Sequence, residues 1–403
     1  MGNRRIEQRI VMASLIAASI SIYIGYLGLL SLLIYKIFKM KTCEKDFLGK
    51  NNGTLWVIII YLLFQLLQTR YTFYGLQAFT LIILQIAAYI AIRDNFSTEK
   101  EYSTLINILV WGSIIISGIG IIQYFYLDPS DLPKSWVDKN IYDIQIRVYS
   151  TLYNPNVLGA YLVSMICMTI ASLEEIRKRP VHVISLFLCS ICLIFTYSRA
   201  ALLTLAIATM VLTALKKNKR YIIYGIIILI AALMIDGSNY TQRMNPEFAA
   251  KDSSIEYRIE IYRTVIDIIE DHMVFGTGLN TMRVYIDQYS SEIKAPVFHG
   301  HNLFLHTMAE TGVIGLLLLL IMLGKSIKNS IEMVNESQNR GIKTIGISMS
   351  LFYMTLLIQG IVDAVVFAPQ YSIFVWTMMA ISDGIWINSR KEYRQHRWWK
   401  YEG

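Results

Sequence analysis

The sequence predicts an all-α protein that crosses a membrane many times. Of its 403 residues, 55% are apolar and only 16% are charged, which is too apolar for one or two soluble domains. The charged residues gather in short clusters. The uncharged runs between them are roughly 17–25 residues long, the length a helix needs to cross ~30 Å of hydrocarbon. Both observations indicate that lipid is the solvent of most of the chain.

The candidate spans follow from the length and flanks of the uncharged runs. A long first run covers residues 10–35, and ten further spans follow it: 54–70, 71–92, 101–126, 150–172, 181–197, 199–215, 220–235, 303–324, 344–366 and 371–388. Lys and Arg gather in the loops at alternate ends of these spans, so these ends are predicted to face the cytoplasm. The opposite side, predicted to be external, then contains the segment 127–149 and the long polar segment 236–300.

The first run is interpreted as a hairpin. A single crossing would place Arg4, Arg5 and Arg9 outside, against the usual distribution of basic residues. A turn near Gly25 or Gly28 keeps them inside and gives about 12 spans, with the long external loop between helices 9 and 10. Each arm of the hairpin would be short for a full crossing, so 11 spans remains an alternative.

Four parts follow from this topology. They are N-terminal transmembrane helices at 1–235, an external loop at 236–302, C-terminal transmembrane helices at 303–388 and a basic cytoplasmic tail at 389–403.

The external loop is predicted to contain a helix of its own. Ser253-x-x-Glu256 matches a capping box, and apolar residues recur every three or four positions, so the segment 254–271 reads as an amphipathic helix over the membrane face. Its apolar residues are Ile255, Ile259, Tyr262, Ile266 and Ile269. Gly276 and Gly278 end this region, and Pro296 with Gly300 breaks the chain before the next span.

Composition argues against other classes of protein. The net charge of +8 does not indicate nucleic-acid binding, because the basic residues lie at the ends of apolar segments. Cys189-x-x-Cys192 has redox spacing but lies within an apolar run, so two small buried residues are the favoured interpretation. The basic N-terminus leads into a run too long for a signal peptide and is predicted to be retained.

Polar residues near the predicted outer side are the candidates for chemistry. Arg199 lies at an outer span junction, where an arginine needs an anionic partner unless it only caps the interface. Arg258 lies on the loop helix, where a surface ion pair is the alternative. A metal site of His299, His301 and Glu310 is disfavoured because alternate residues on an irregular turn do not by themselves form one. No metal is predicted.

One segment carries a recognisable pattern. His301-Asn302, nine residues, then Gly312-x-x-Gly315 matches the H-[N/S/Q]-x9-G-x-x-[G/T/Y] signature of the O-antigen ligase and O-antigen polymerase superfamily, although both glycines would also suit plain helix packing. Three other segments are similar to that family, in the same order: 150–159, 197–200 and 258–279. The chain resembles the superfamily over nearly its full length.

The resemblance implies a GT-C-like membrane fold and a reaction without cofactor or metal. Members transfer a glycan from undecaprenyl pyrophosphate to an acceptor hydroxyl at the outer face of the bacterial cytoplasmic (inner) membrane. His301, as base, with Arg258 and Arg199, as phosphate ligands, is the implied catalytic set. The implied substrate-binding residues are Arg147, Asn154, Asn156, Asn302, Glu310 and His299.

Alternatives remain at two levels. Within the family, a polymerase extends a second lipid-linked repeat unit, and a ligase uses a lipid or protein acceptor. The Ile-, Lys-, Asn- and Tyr-rich composition is typical of an AT-rich genome and suggests a Gram-positive source, where no lipid A exists to serve as the acceptor. A polymerase of a surface polysaccharide is therefore favoured. Outside the family, a flippase or transporter would use Glu310, Asp363 and Asp383 as intramembrane coupling groups, and a non-catalytic assembly protein is a third option. The predicted partners are the lipid-linked glycan and the lipid bilayer. A chain-length regulator and a flippase are candidate further partners, and no nucleic acid is predicted.

Overall fold

The computed structural model describes residues 2–43, 53–133, 136–137, 139, 141–176, 180–249, 252–293, 297 and 299–401. Throughout these ranges the regular structure is helical, as predicted, and contains no strand. Pro296, Asp138 and the basic loop at 177–179 lie outside the described residues.

Helices α1 to α15 follow one another along the chain. Their bounds are α1 Gly2–Ile20, α2 Ile22–Cys43, α3 Gly53–Gln68, α4 Thr72–Asn95, α5 Glu99–Tyr126, α6 Pro155–Ile176, α7 Pro180–Phe195, α8 Arg199–Lys216, α9 Arg220–Met244, α10 Pro246–Ala249, α11 Ser253–Asp271, α12 Met282–Tyr289, α13 Leu303–Glu336, α14 Arg340–Val362 and α15 Pro369–Tyr401.

Seven of the described helices are long and apolar enough to cross a membrane: α4, α5, α6, α8, α9, α13 and α14. Shorter apolar helices lie in α2, α3 and α7. The most completely buried of the seven is α6, which packs against α7, α8 and α14. By contrast, α9 exposes large apolar side chains such as Ile227 and Met234, as expected for a surface against lipid. The total of about 12 spans stays a prediction.

Helices α1 and α2 form the predicted hairpin, but the predicted position of its turn was wrong. The helices separate at Ser21, and the two glycines lie inside α2, where they allow close contact with α1. A Cβ on Gly25 would lie 2.5 Å from the Cβ of Ala18, and a Cβ on Gly28 would lie 2.3 Å from Ser14 Oγ. Small residues therefore serve helix approach here and not chain reversal.

Helix α9 continues past the predicted end of its span. Asp236 has a non-helical backbone, with φ −153° and ψ 67°, and the chain then resumes its helix as far as Met244. The Asp236 carboxylate accepts hydrogen bonds from the Asn239 backbone N–H at 3.3 Å and from the Tyr197 hydroxyl at 2.7 Å. Asp236 thus caps a second helical piece, which brings Arg243 to the site described below.

The loop helix α11 is present, but its predicted N-cap was wrong. Asp252, not Ser253, is the N-cap, and its side chain accepts the Ser254 N–H at 3.0 Å. Ile259 and Ile266 are exposed. The buried stripe faces α12 and α13 and contains Ile261, Val265, Ile268 and Ile269. Two apolar stripes therefore fit helical spacing in this segment, and packing against α12 and α13 buries one of them.

Gly312 interrupts α13, which runs from Leu303 to Glu336, with a non-helical backbone. The helix begins at Leu303 with the predicted cap, Asn302, whose side chain accepts two backbone N–H groups. At Gly312 the backbone has φ +63° and ψ −175°, and a Cβ there would lie 2.1 Å from the Val274 carbonyl oxygen. Helix packing of the small-xxx-small kind therefore does not explain Gly312, which lets the chain break where another segment meets it.

The segment that contacts α13 at this break is 273–278, which belongs to the family-like segment 258–279. The Val313 N–H donates to the Met273 carbonyl at 2.9 Å, and the Gly278 N–H donates to the Glu310 carbonyl at 2.8 Å. Gly276 and Gly278 both have positive φ, at 71° and 110°. Backbone hydrogen bonds on both sides of Gly312 thus join the segment 273–278 to α13.

Candidate active site

The candidate site lies at one face of the helical bundle, where α6, α8 and α13 begin and where α9 and α14 end. Asp363, directly after α14, is its centre and is 2% exposed. One carboxylate oxygen, Oδ1, lies 3.1 Å from His299 Nε2 and 3.2 Å from His301 Nδ1. These three residues are called the histidine–aspartate cluster below.

His301 is held in a constrained conformation. Its φ of +49° is unusual for a residue with a Cβ, and the Tyr262 hydroxyl donates a hydrogen bond of 2.9 Å to its carbonyl oxygen. Burial lowers the pKa of His301 below 6.5, although the hydrogen bond and charge of Asp363 oppose this shift. The ring is therefore neutral near pH 7.

Asp363 is ionised and fixes the orientation of both rings. Burial acts to raise the pKa of Asp363, but the hydrogen bonds and charges of His299 and His301 hold it well below its usual range. A carboxylate is only an acceptor, so a neutral His301 bonded to it through Nδ1 carries its proton there. The lone pair at Nε2 is then available to accept a proton.

Arg258 and Asn156 contact the other side of the same carboxylate. Arg258 Nη2 lies 4.0 Å from Asp363 Oδ2, and its Nη1 donates to the Val362 carbonyl at 3.3 Å. Asn156 Nδ2 donates to Oδ2 at 3.1 Å, and its Oδ1 accepts from Arg147 at 3.0 Å. Asn156 therefore joins the histidine–aspartate cluster to a second group of residues, which is basic.

That second group is called the arginine cluster and consists of Arg147, Arg199, Arg243 and Arg258. The guanidinium of Arg147 is buried and bonds to the carbonyls of Thr196 and Trp136 as well as to Asn156. Burial, together with the charges of the other three arginines, lowers the pKa of Arg147 well below its usual range. The cluster therefore concentrates positive charge, which favours a bound anion.

Arg199 has the anionic partner that its position required. Its Nη2 lies 3.0 Å from Asp252 Oδ2, and the same oxygen accepts from the Tyr142 hydroxyl at 3.1 Å. Burial alone would raise the pKa of Asp252, but hydrogen bonds from Ser254 and the charge of Arg199 lower it. The cap of the loop helix thus neutralises one arginine of the site.

Other predicted binding residues act mainly on the backbone. Asn154 Oδ1 accepts the Asn156 and Val157 N–H groups at the start of α6. The Asn302 amide donates to the Ile361 carbonyl at 2.8 Å and so ties the start of α13 to the end of α14. Glu310 accepts the backbone N–H groups of Asn280 and Met282, at the start of α12.

The disfavoured metal interpretation grouped His299 and His301 with Glu310. The carboxylate that lies beside both histidines is instead that of Asp363. The three ligand atoms of the histidine–aspartate cluster lie within 4.8 Å of one another, a spacing that could hold a metal ion. The hydrogen bonds within the cluster satisfy the same atoms without a metal.

An apolar cavity of about 1050 Å³ opens beside the site. Its wall comes from α3, α4, α13 and α15 together with the segment after α14, and includes Leu76, Leu318 and Trp376. Its lining also includes His299 and Asn154. The cavity therefore connects the polar site with membrane-length apolar helices.

Sequence reasoning missed Asp363 and Arg243 as site residues. Asp363 was placed within a span predicted to end at 366, but α14 ends at Val362. Arg243 was placed in a loop, because the helical piece after Asp236 has no apolar signal. An acidic residue near a span end, and an arginine on the side opposite the basic loops, were the available signals.

The fold and the site define a helical membrane protein with an arginine cluster beside a histidine–aspartate cluster at one face of the bundle. Residues 184–320 match the family model described as O-antigen ligase. The match covers Arg199, Arg243, Arg258 and the H-N-x9-G-x-x-G signature, and it confirms the predicted relationship of the chain to the O-antigen ligase and polymerase superfamily. This relationship indicates O-antigen ligase-type glycan transfer from a lipid-linked substrate. No curated protein matches the chain.

Proposed function

We propose that the protein transfers a glycan from undecaprenyl pyrophosphate to an acceptor hydroxyl at the outer face of the bacterial cytoplasmic membrane, without a metal. The observation that carries the proposal is the contact of one buried carboxylate, Asp363, with His301 on one side and Arg258 on the other. A base and a phosphate-binding cation are thereby held in one site, as displacement of a diphosphate requires.

The proposed reaction is a direct displacement. The acceptor oxygen attacks the anomeric carbon and gives its proton to His301 Nε2, while the bond between that carbon and the diphosphate oxygen breaks. The negative charge that develops on the diphosphate is stabilised by Arg258 and Arg199, whose planar guanidinium groups match phosphate oxygens. Attack opposite the leaving group inverts the anomeric centre.

The apolar cavity supports a lipid-linked substrate. A polyprenyl chain is apolar along its length and would occupy the lipid or an apolar groove while its diphosphate reaches the arginine cluster. Since His299 lies on the cavity wall, hydrocarbon there would run directly beside the reacting groups. This arrangement suits a polymerase, in which donor and acceptor both carry a lipid, and the composition of the chain favours the same choice.

A ligase that uses a lipid or protein acceptor is the second candidate within the family. The transporter alternative is less well supported, because each carboxylate it would use for coupling has fixed partners. Asp383, for example, accepts hydrogen bonds from Tyr89, Ser326 and Asn329 and lies 3.6 Å from Lys325 Nζ. A coupling site that must bind and release ions needs a carboxylate free to change partners.

The test is transfer by the purified protein in lipid nanodiscs, with an undecaprenyl-pyrophosphate repeat unit and EDTA. We expect His301→Ala to lose about 10²- to 10⁴-fold in rate and Arg258→Ala to lose about 10²-fold. Arg263→Ala is the matched control, because this side chain on the same helix is 73% exposed and pairs with Glu260 at 3.7 Å.

The products separate the two family outcomes. Longer glycans from the repeat unit alone support a polymerase, and transfer only to an added acceptor supports a ligase. A folded wild-type protein that transfers to neither would contradict the proposed function. Equal rates for wild type and both site variants would contradict the assigned residues.

A further inference from the structure

Arg243 is a buried arginine to which the mechanism above gives no role. It lies at the end of α9 and is 6% exposed. Its guanidinium carbon lies 4.9 Å from the ring centre of Tyr142, and its carbonyl oxygen accepts a hydrogen bond of 3.3 Å from Arg199. Its Nε is buried and has no hydrogen-bond partner among the described residues. A buried charged donor without an acceptor is costly unless a ligand supplies one.

The charges around Arg243 indicate the kind of ligand. The arginine cluster contributes four positive charges, and the described carboxylates in contact with it are Asp252, paired with Arg199, and Asp363, beside Arg258. Two positive charges remain in excess. A diphosphate that links a lipid to a sugar carries two negative charges, and the lipid diphosphate released from it carries up to three. The two excess positive charges therefore balance the charge of the bound substrate, and they attract the more highly charged leaving group more strongly.

The positions of the two carboxylates divide the arginine cluster into two parts. Asp363 and Arg258 lie beside His301, near the proposed reacting centre, whereas Asp252, Tyr142 and Arg199 lie next to Arg243. Arg243 makes no ion pair in the described part of the chain. A two-phosphate ligand would therefore place one phosphate near Arg258 and the other between Arg199 and Arg243.

We propose that Arg243 is a substrate-binding residue that, with Arg199, holds the second phosphate of a lipid diphosphate. This inference rests on the proposed function. It adds Arg243 to the site and assigns the two phosphates to different arginines. Tyr142 supports the planar guanidinium by stacking, and the helical piece capped by Asp236 sets its position. The Nε donor then points to a phosphate oxygen when the ligand is bound.

The experiment compares two probes that differ by one phosphate, farnesyl diphosphate and farnesyl monophosphate. Binding of each is measured by titration calorimetry on the full-length protein in nanodiscs, for wild type, Arg243→Gln and the control Arg263→Gln. Loss of one charged hydrogen-bonding group should weaken diphosphate binding about 10- to 100-fold. Monophosphate binding should change much less, so the preference for diphosphate collapses in Arg243→Gln alone.

A merely structural role for Arg243 would weaken both probes by the same factor, and that result would overturn the inference. Arg243→Lys keeps the charge but loses the planar fork, and we expect an intermediate, diphosphate-selective loss. This variant carries the test if Arg243→Gln fails to fold. Unchanged binding in both Arg243 variants, with weak binding in Arg258→Gln, would reject the inference and leave the proposed function standing. Failure of wild type to prefer the diphosphate would reject both.

Discussion

Asp363→Asn is the substitution that tests the proposed catalytic geometry most directly. It keeps the size of the side chain but removes the charge that accepts hydrogen bonds from His299 and His301. The amide has one oxygen and one NH₂ group, so it cannot accept from both rings, Asn156 and the Ala364 N–H as the carboxylate does. His301 then loses the partner that holds its proton on Nδ1.

The expected loss in rate can be estimated from the role of His301. A positioned general base contributes about 10²- to 10⁴-fold, which corresponds to about 3 to 5 kcal/mol of barrier. Asp363→Asn should lose a large part of that factor. The folded protein should also be less stable by about 1–3 kcal/mol, because buried donors lose a charged acceptor.

The pH profile distinguishes a catalytic from a structural effect. The base must be unprotonated, so the rate rises with pH through the pKa of His301, and burial places this rise below pH 6.5 in the wild type. Asp363 opposes that shift, so its neutralisation should lower the pKa of His301 further. The rise should therefore move to lower pH while the plateau falls.

The assay is the initial rate of glycan transfer between pH 5 and 8, a range about the ordinary pKa of histidine. Asp267→Asn, on the exposed face of α11, is the control for removal of one carboxylate. A lower rate with an unshifted pH profile would mean that Asp363 acts only in folding. A wild-type rate would refute the proposed role of the histidine–aspartate cluster.

Three further predictions follow from the site and its supports. Gly312→Ala should lower the melting temperature and abolish transfer, because φ is +63° and the new Cβ would meet the backbone of 273–278, whereas Gly324→Ala, with no atom within 4 Å, should leave both unchanged. Asp236→Ala should lower stability by about 1 kcal/mol through loss of a helix cap and weaken diphosphate binding by displacing Arg243, as titration calorimetry would show; unchanged binding would contradict this link. EDTA should leave the rate of transfer unchanged and Zn²⁺ should inhibit, because the histidine–aspartate cluster has metal-compatible spacing; loss of activity in EDTA would contradict the metal-free mechanism.

Much of the site could be identified from residue types and order. Charged residues next to apolar runs marked the ends of helices, so Arg199 and Asn302 were placed correctly at the starts of α8 and α13. The signature drew attention to His301. These successes depend on local sequence, because caps and span ends involve residues only a few positions apart.

The partners of these residues could not be found in the same way. His301 contacts Asp363, 62 positions later, and Arg199 contacts Asp252, 53 positions later. No local periodicity encodes such a pair. The role of Gly312 was likewise hidden, because its positive φ is required by the segment 273–278, which only the fold brings to it.

The sequence by itself determined the helical membrane class, most helix boundaries to within a few residues, the superfamily and the residues most suited to chemistry. It could do so because burial in lipid imposes long apolar runs, and because helix ends and signatures are short-range features. Only the tertiary structure decided which face of α11 is buried, where α9 resumes after Asp236, and which carboxylate serves His301. Those choices depend on packing between helices far apart in sequence, where several arrangements satisfy the same local pattern and the contacts select one.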